Sequence, residues 1–223
     1  MEKSIDSSIT DDMKKYLDKV LEANQTINLT RVTDIQEATL LHLEDSLAVM
    51  EEFSKAPEGF YADLGSGGGF PGVPLALASG RKTLLVDSVK KKMNVVDGIL
   101  HDMNLDELIS IYDDRIETLA IERPNEFSVL TARAITSLPS LLELASPLLM
   151  DGGWLIALKS KEEDDFNNSS LENRLGMKLI SKRDYYLSDG ESYRTVYVFE
   201  KYKEPEVKLP RRIGLAQKRP YKD

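Results

Sequence analysis

The sequence predicts an α/β protein. Its mostly parallel, seven-stranded sheet should be covered by helices on both faces, end in an antiparallel hairpin and follow a short helical segment. Three observations predict this. From Phe60 onward, short apolar runs alternate with stretches whose apolar residues recur at helical spacing. Most of these runs are apolar throughout, as parallel strands buried on both faces must be. The last two runs flank "SDGES" (188–192), a turn sequence that reads as a hairpin.

Each element has its own signal. Thr10 to Gln25 reads as an amphipathic helix, with Met13, Tyr16, Leu17, Val20 and Leu21 on one face and Thr10 as its cap. "NQTINLTRVTD" is a polar break. Asp34 and Glu37 then resemble a capping box opening a second helix, with Leu40, Leu41, Leu47 and Val49 among its apolar residues. "SKAPEG" ends this part. "FYADL" is the first strand, Pro71 to Ala78 the first crossover helix and "KTLLVD" the second strand. The next helix carries Val89, Met93, Val96, Leu100 and Met103. "LISIY" and "FSVLTAR" are strands three and four, "SLPSLLELASPLLM" is helical and "GGWLIALK" is strand five. "MKLISKRDYYL" and "YRTVYVFEK" form the hairpin. The second of them is apolar on both faces at 195–199, which predicts a strand internal to the sheet. Five parallel strands followed by a hairpin is the order of the class I methyltransferase fold, which is Rossmann-like; fold alone does not give function.

With 223 residues the chain suffices for one substantial domain and a small appendage. The expected divisions are an N-terminal helical segment packed on the core (1–56), the α/β domain (57–202) and a basic tail (203–223). Net charge is −9, which disfavours indiscriminate nucleic-acid binding. The tail alone carries +4, from seven basic and three acidic residues, so the body is the acidic part. The absence of cysteine excludes disulfides, thiolate metal sites and cysteine nucleophiles. With only two histidines as well, no metal site is expected. The N-terminus has no apolar signal core and no run approaches membrane-span length, so a cytoplasmic monomer is expected, away from membranes.

The segment "DLGSGGGFPG", Asp63 to Gly72, follows the first strand and holds five glycines. Glycine lets backbone approach a ligand closely and tolerates positive φ. The next helix aims free N–H groups at the same place. Gly65, Gly67 and Gly69 suit an adenosyl cofactor, whereas Gly67-x-Gly69-x-x-Gly72 matches a dinucleotide fingerprint. Asp63 is expected to favour a cation such as the sulfonium of S-adenosylmethionine over a pyrophosphate. Asp87, 22 residues after Gly65, is placed to accept ribose hydroxyls of either cofactor.

Further segments carry a more specific signal. "INLTRVTD", "HLEDSL", "DLGSGGGFPGVPLAL", "LVDSVKKKMNVV", "TARAITSLPSLLEL" and "PRRIGLAQKRP" occur in the order and near the spacing of one family. The chain resembles the bacterial small-subunit ribosomal RNA guanine-N7 methyltransferases, also called the glucose-inhibited division protein B family, from about Asn28 to Tyr221. The resemblance implies transfer of a methyl group from S-adenosylmethionine to N7 of a single guanine in the loop near the decoding site of 16S rRNA. On this sequence the matching cofactor contacts are Gly65, Phe70, Ile116, Glu117 and Arg133. Gly68, Ser160 and Ala216 depart from the family pattern, and Ala216 weakens the match of the tail.

Such a transfer sets modest chemical demands. Guanine N7 is an exposed lone pair, so no base is needed and positioning dominates. Arg133 is expected to orient the substrate or the cofactor. A donor on N7 would block the attack, which favours its contact with O6, phosphate or the cofactor carboxylate. His42, Asp45 and Ser46 share a helix face. They read first as a structural hydrogen-bond cluster, with Asp45 also a candidate for closing the cofactor pocket. Lys208, Arg211, Arg212, Lys218 and Arg219 are expected to touch RNA phosphates, because the tail looks too basic and too poor in apolar residues to build core. Lys90, Lys91 and Lys92 read as a solvated helix face, and Arg194 is a further guess on the RNA side. Base-paired RNA hides N7 in a deep, narrow groove, so the expected partner is 16S rRNA in a small subunit or an assembly intermediate, recognised by shape.

Overall fold

In the computed structural model, which describes residues 8–160 and 168–222, α1 (Asp11–Asn24) buries Met13, Tyr16, Leu17 and Val20. The Thr10 hydroxyl accepts from the Met13 amide at its start. Residues 1–7 of the N-terminal segment and Asp223 of the tail lie outside the described residues. The second predicted helix is three pieces in one path: α2 (Ile35–Ala38), a π-helical turn (Thr39–Glu44) and α3 (Asp45–Leu47). Asp34 caps it by accepting from the Gln36 and Glu37 amides, both at 2.9 Å. Then come α4 (Met50–Lys55), β1 (Tyr61–Leu64), α5 (Gly72–Ser79), β2 (Thr83–Val86), α6 (Lys90–Asp102) and β3 (Ile109–Tyr112). The remainder is α7 (Ile116–Glu122), β4 (Phe127–Arg133), α8 (Leu138–Ala145), β5 (Leu149–Lys159), α9 (Ser169–Leu175), β6 (Met177–Tyr186), β7 (Tyr193–Lys201) and α10 (Leu215–Lys218).

The sheet order is β3-β2-β1-β4-β5-β7-β6. Strands β1 to β5 run parallel, and β7 pairs antiparallel with both β5 and β6, so the strand with two apolar faces is internal as its sequence requires. The order reverses between β1 and β4. Ligands of such sheets bind beyond the strand C-termini at that reversal. One face is covered by α1, α5 and α6 and the other by α7, α8 and α9.

Three boundaries differ from the sequence reading. The helix after β4 stops at Ala145, because Pro147 lacks an N–H and disfavours helical backbone before it. Strand β5 therefore starts at Leu149 rather than at Gly152. Helix α9 was not legible from periodicity; Asn168 caps it by accepting from the Leu171 amide at 2.9 Å. The tail is the main correction. Val207, Leu209 and Tyr221 pack against the core, and Ala216 is buried. The Arg211 guanidinium is held in a two-armed ion pair by Glu143, which is buried on α8, and stacks on the Tyr221 ring.

Candidate functional site

The glycine loop splits into two halves with different neighbours. In the front half, Gly65 and Gly67 have φ of +70° and +55°, which glycine alone adopts without strain. The Gly67 amide donates to Asp87 Oδ2 at 3.0 Å, and Asp87 Oδ1 accepts from the Val89 amide at 2.9 Å. One carboxylate at the end of β2 thus pins both the loop and the entry to α6. The back half faces the N-terminal helices. A Cβ on Gly69 would overlap the Tyr16 hydroxyl, which donates to the Gly68 carbonyl. Phe70 is buried, stacked on His42 with ring centroids 4.6 Å apart and edge-on to Tyr16. Gly69 and the Phe70 ring, expected at the cofactor, form the joint between loop and N-terminal segment and are not among the residues lining the cleft.

Asp63 is also corrected. It is fully buried, accepting from Thr131 Oγ1 at 2.7 Å and from the Gly72 amide at 2.9 Å. Burial pushes its carboxyl up to about 7, although both hydrogen bonds and the Arg133 charge oppose the shift. Asp63 braces β1 against β4 and α5 and does not line the cleft. Gly72 lets this happen, since a Cβ there would strike Leu85 and the Asp63 side chain.

The cleft at the sheet's switch point is lined by Gly65, Asp87, Asp114, Arg115, Ile116 and Glu117, among others. Its wall carries three carboxylates against one guanidinium. These acceptors fit ribose hydroxyls and a cationic sulfonium and oppose a pyrophosphate, so the residues present fit an adenosyl methyl donor better than a dinucleotide. The tail closes one side: Gln217 lines the cleft and the Gly214 amide donates to Glu117 Oε1 at 2.6 Å.

A second cavity adjoins the first through consecutive residues, for Ala134 lines the second and Ile135 the first. Arg133 Nη1 donates to the Leu41 carbonyl at 2.8 Å and to Asp45 Oδ2 at 2.9 Å. Arg194 Nε donates to Asp45 Oδ1 at 2.9 Å. The Asp45 side chain is only 4% exposed, so one buried carboxylate holds two arginines, one on each oxygen. Arg133 and Asp45 therefore do not reach the cleft where a cofactor contact or pocket closure was expected; their place is this neighbouring cavity. Leu41 and Val32 form apolar wall beside them. Ser46 back-bonds to the His42 carbonyl, as a structural hydroxyl does.

The tail cations divide. Arg211 is taken by Glu143, against the expectation of a free RNA contact, because its stem and fork are what dock the tail. Lys208, Arg212, Lys218 and Arg219 are exposed. Lys90 and Lys91 are exposed at the start of α6, with Lys90 3.6 Å from Asp113. Sequence reasoning missed Asp114, Arg115 and Gln217. Their only signal was position, after β3 and beside the tail motif. No helix among the described residues is long and apolar enough to cross a membrane.

Comparisons with known proteins identify the family and the fold. The family described as rRNA small subunit methyltransferase G (GidB) matches residues 9–181. The ribosomal RNA small subunit methyltransferase G of Streptococcus suis is 34% identical over 95% of this chain and 93% of its own. That of Lactobacillus johnsonii is 32% identical over 92% and 88%. Among solved structures, a SAM-dependent methyltransferase from Aquifex aeolicus superposes with a TM-score of 0.55 at 14% identity, over 82% of this chain and 97% of its own. The [4+2]-cyclase SpnF also scores 0.55, at 11% identity over 70% and 80%. These likenesses establish the class I fold, and the cyclase illustrates that the fold hosts more than one chemistry.

Proposed function

The chain belongs to the rRNA small subunit methyltransferase G family, and from that premise we propose that it methylates N7 of a single guanine of 16S rRNA, near the decoding site, within a small subunit or an assembly intermediate. S-adenosylmethionine is the expected cofactor; when bound, it supplies a methyl group activated on a sulfonium. The observation that carries the reading is the pairing of an acidic cleft with an arginine-lined cavity across the Ala134–Ile135 peptide.

The residues then have distinct tasks. Asp87 accepts the ribose hydroxyls, the backbone at Gly65 and Gly67 comes close to the donor, and Ile116 and Glu117 flank the adenine. Gln217 and the docked tail narrow the opening, excluding water. Arg133 and Arg194, fixed by Asp45, hold the target nucleotide from the second cavity. N7 reacts through its lone pair, so no side chain needs to remove a proton, and the rate comes from alignment and from a polar site that tolerates charge moving onto the base. Exposed Lys208, Arg212, Lys218 and Arg219 face RNA phosphates. The acidic body repels RNA in general and leaves recognition to the shape of the particle.

The test is to incubate the protein with labelled S-adenosylmethionine and small subunits from cells lacking its gene, then map the modified nucleotide. Label on N7 of one guanine near the decoding site is the expected result. Label on another RNA position corrects the target, and cofactor binding without transfer contradicts catalysis.

A further inference from the structure

His42 holds a buried polar atom that the fold leaves unused. The residue is 9% exposed, lines the arginine cavity, and its Nδ1 has no hydrogen-bond partner among the described residues. Buried polar atoms are nearly always paired, so an unpaired one on a cavity wall calls for a ligand atom. Its other nitrogen is committed: Nε2 lies 2.8 Å from Thr30 Oγ1. That hydroxyl oxygen already accepts from the Val32 amide at 3.1 Å. Directing the Thr30 hydrogen onto Nε2 satisfies the hydroxyl and puts the ring proton on Nδ1. Burial and the nearby Arg133 charge outweigh the neighbouring Leu41 carbonyl and the Asp45 charge and lower the His42 pKa to about 4, so the ring is neutral near pH 7 and carries that single N–H. The ring is fixed by its stacking on Phe70.

The other side chains around the cavity leave little to accept a hydrogen bond. Each Asp45 oxygen already accepts from an arginine, the Leu41 carbonyl accepts from Arg133, Lys159 donates to the Thr136 carbonyl, and the Ser160 hydroxyl is the remaining side chain there that can either accept or donate. A cavity whose cations and one imidazole N–H outnumber its single, already engaged carboxylate favours a ligand with acceptors. Guanine offers O6 beside N7, whereas adenine presents an amino group at that position. An arginine fork across O6 and N7 would occupy the lone pair that must react. A single N–H on O6 leaves N7 free.

We propose that His42 donates its Nδ1–H to O6 of the target guanine and thereby selects guanine over a purine with an amino group at that position. This rests on the reading that the target base enters the arginine cavity. A phosphate oxygen is the other acceptor such a cavity suits, and the test separates the two.

Small subunits are reconstituted with 16S rRNA carrying either guanine or 2,6-diaminopurine at the methylated position. The second base keeps N7 and the 2-amino group but replaces O6 with an amino group. kcat/KM is measured for the unaltered protein, His42→Phe and His42→Gln, with S-adenosylmethionine binding and thermal melts as controls for folding. The unaltered protein should prefer guanine by ~10-fold or more. His42→Phe should lose that preference because only the guanine rate falls, and His42→Gln, which retains an N–H donor, should recover part of it. If His42→Phe does not fold, the size of the preference in His42→Gln against the unaltered protein decides. An unchanged preference, or parallel loss on both substrates as a phosphate contact or a structural role gives, overturns the proposal. Absence of N7 transfer by the unaltered protein on guanine subunits instead removes the functional reading on which the proposal rests.

Discussion

The cleft at Asp87 and the cavity at Arg133 meet at one peptide bond but are built in opposite ways. Carboxylates dominate the cleft, and two of the three already have a second job: Asp87 pins the glycine loop and Glu117 anchors the tail. The cavity is dominated by arginines that a single buried carboxylate holds in place. The contrast teaches how one site can take two reactants of opposite character. In the proposed reaction a sulfonium donor is drawn to the acidic side and an acceptor-rich nucleotide to the basic side, with the reacting atoms meeting between.

The comparison can be broken from either side. The largest effect is expected from Asp45→Asn, which strands two arginines at a buried position. Stability should fall by ~3–5 kcal/mol in urea melts, as for removal of one partner of a buried ion pair. Where the variant remains folded, methyl transfer should be lost while S-adenosylmethionine binding stays within a few-fold of normal. Asp87→Asn acts on the other side. It weakens two backbone hydrogen bonds to a charged acceptor, so the Kd for S-adenosylmethionine should rise by ~100-fold in calorimetry, with binding of small subunits retained. NAD should bind neither protein.

Asp63 sharpens the contrast, because it is acidic in sequence yet belongs to neither cavity. Its folded pKa of about 7 lies above the value of a free carboxyl, so the folded state holds a proton that the unfolded chain releases. Its contribution to stability is present in full below about pH 4 and declines as pH rises toward 7, with a slope of up to ~1.4 kcal/mol per pH unit. Asp63→Asn should flatten that part of the stability–pH curve in chemical denaturation; an unchanged slope would show that Asp63 titrates normally. The smallest effect is expected from the tail. Arg212→Ala and Lys218→Ala should each lower the salt slope of small-subunit binding by about 1 without altering cofactor affinity.

The strands were legible because burial on both faces makes them apolar throughout, and the place of Asp87 on the cleft wall because it directly follows the second strand. The rest depended on facts that spacing does not carry. Asp63 and Asp87 both stand near the C-terminal ends of strands, and only the packing of Thr131 and Gly72 against Asp63 separates a buried brace from a carboxylate on the cleft wall. Gly69 looked like a ligand-facing glycine, but its partner is Tyr16, 53 positions earlier in the chain. The tail read as solvated because its few apolar residues are widely spaced. It docks through Arg211, whose charge is neutralised by Glu143 and whose face covers Tyr221. The Asp45 clamp joins residues 45, 133 and 194, a long-range contact that no local pattern announces.

The most direct test of two oppositely charged compartments is a crystal structure with S-adenosylhomocysteine and guanosine monophosphate bound together. The account predicts the ribose of the first ligand on Asp87 in the acidic cleft. It places the guanine in the Arg133–Arg194 cavity, with N7 turned toward the sulfur and O6 toward His42 Nδ1. Guanine outside that cavity, or the adenosyl ligand on the arginines, would contradict it.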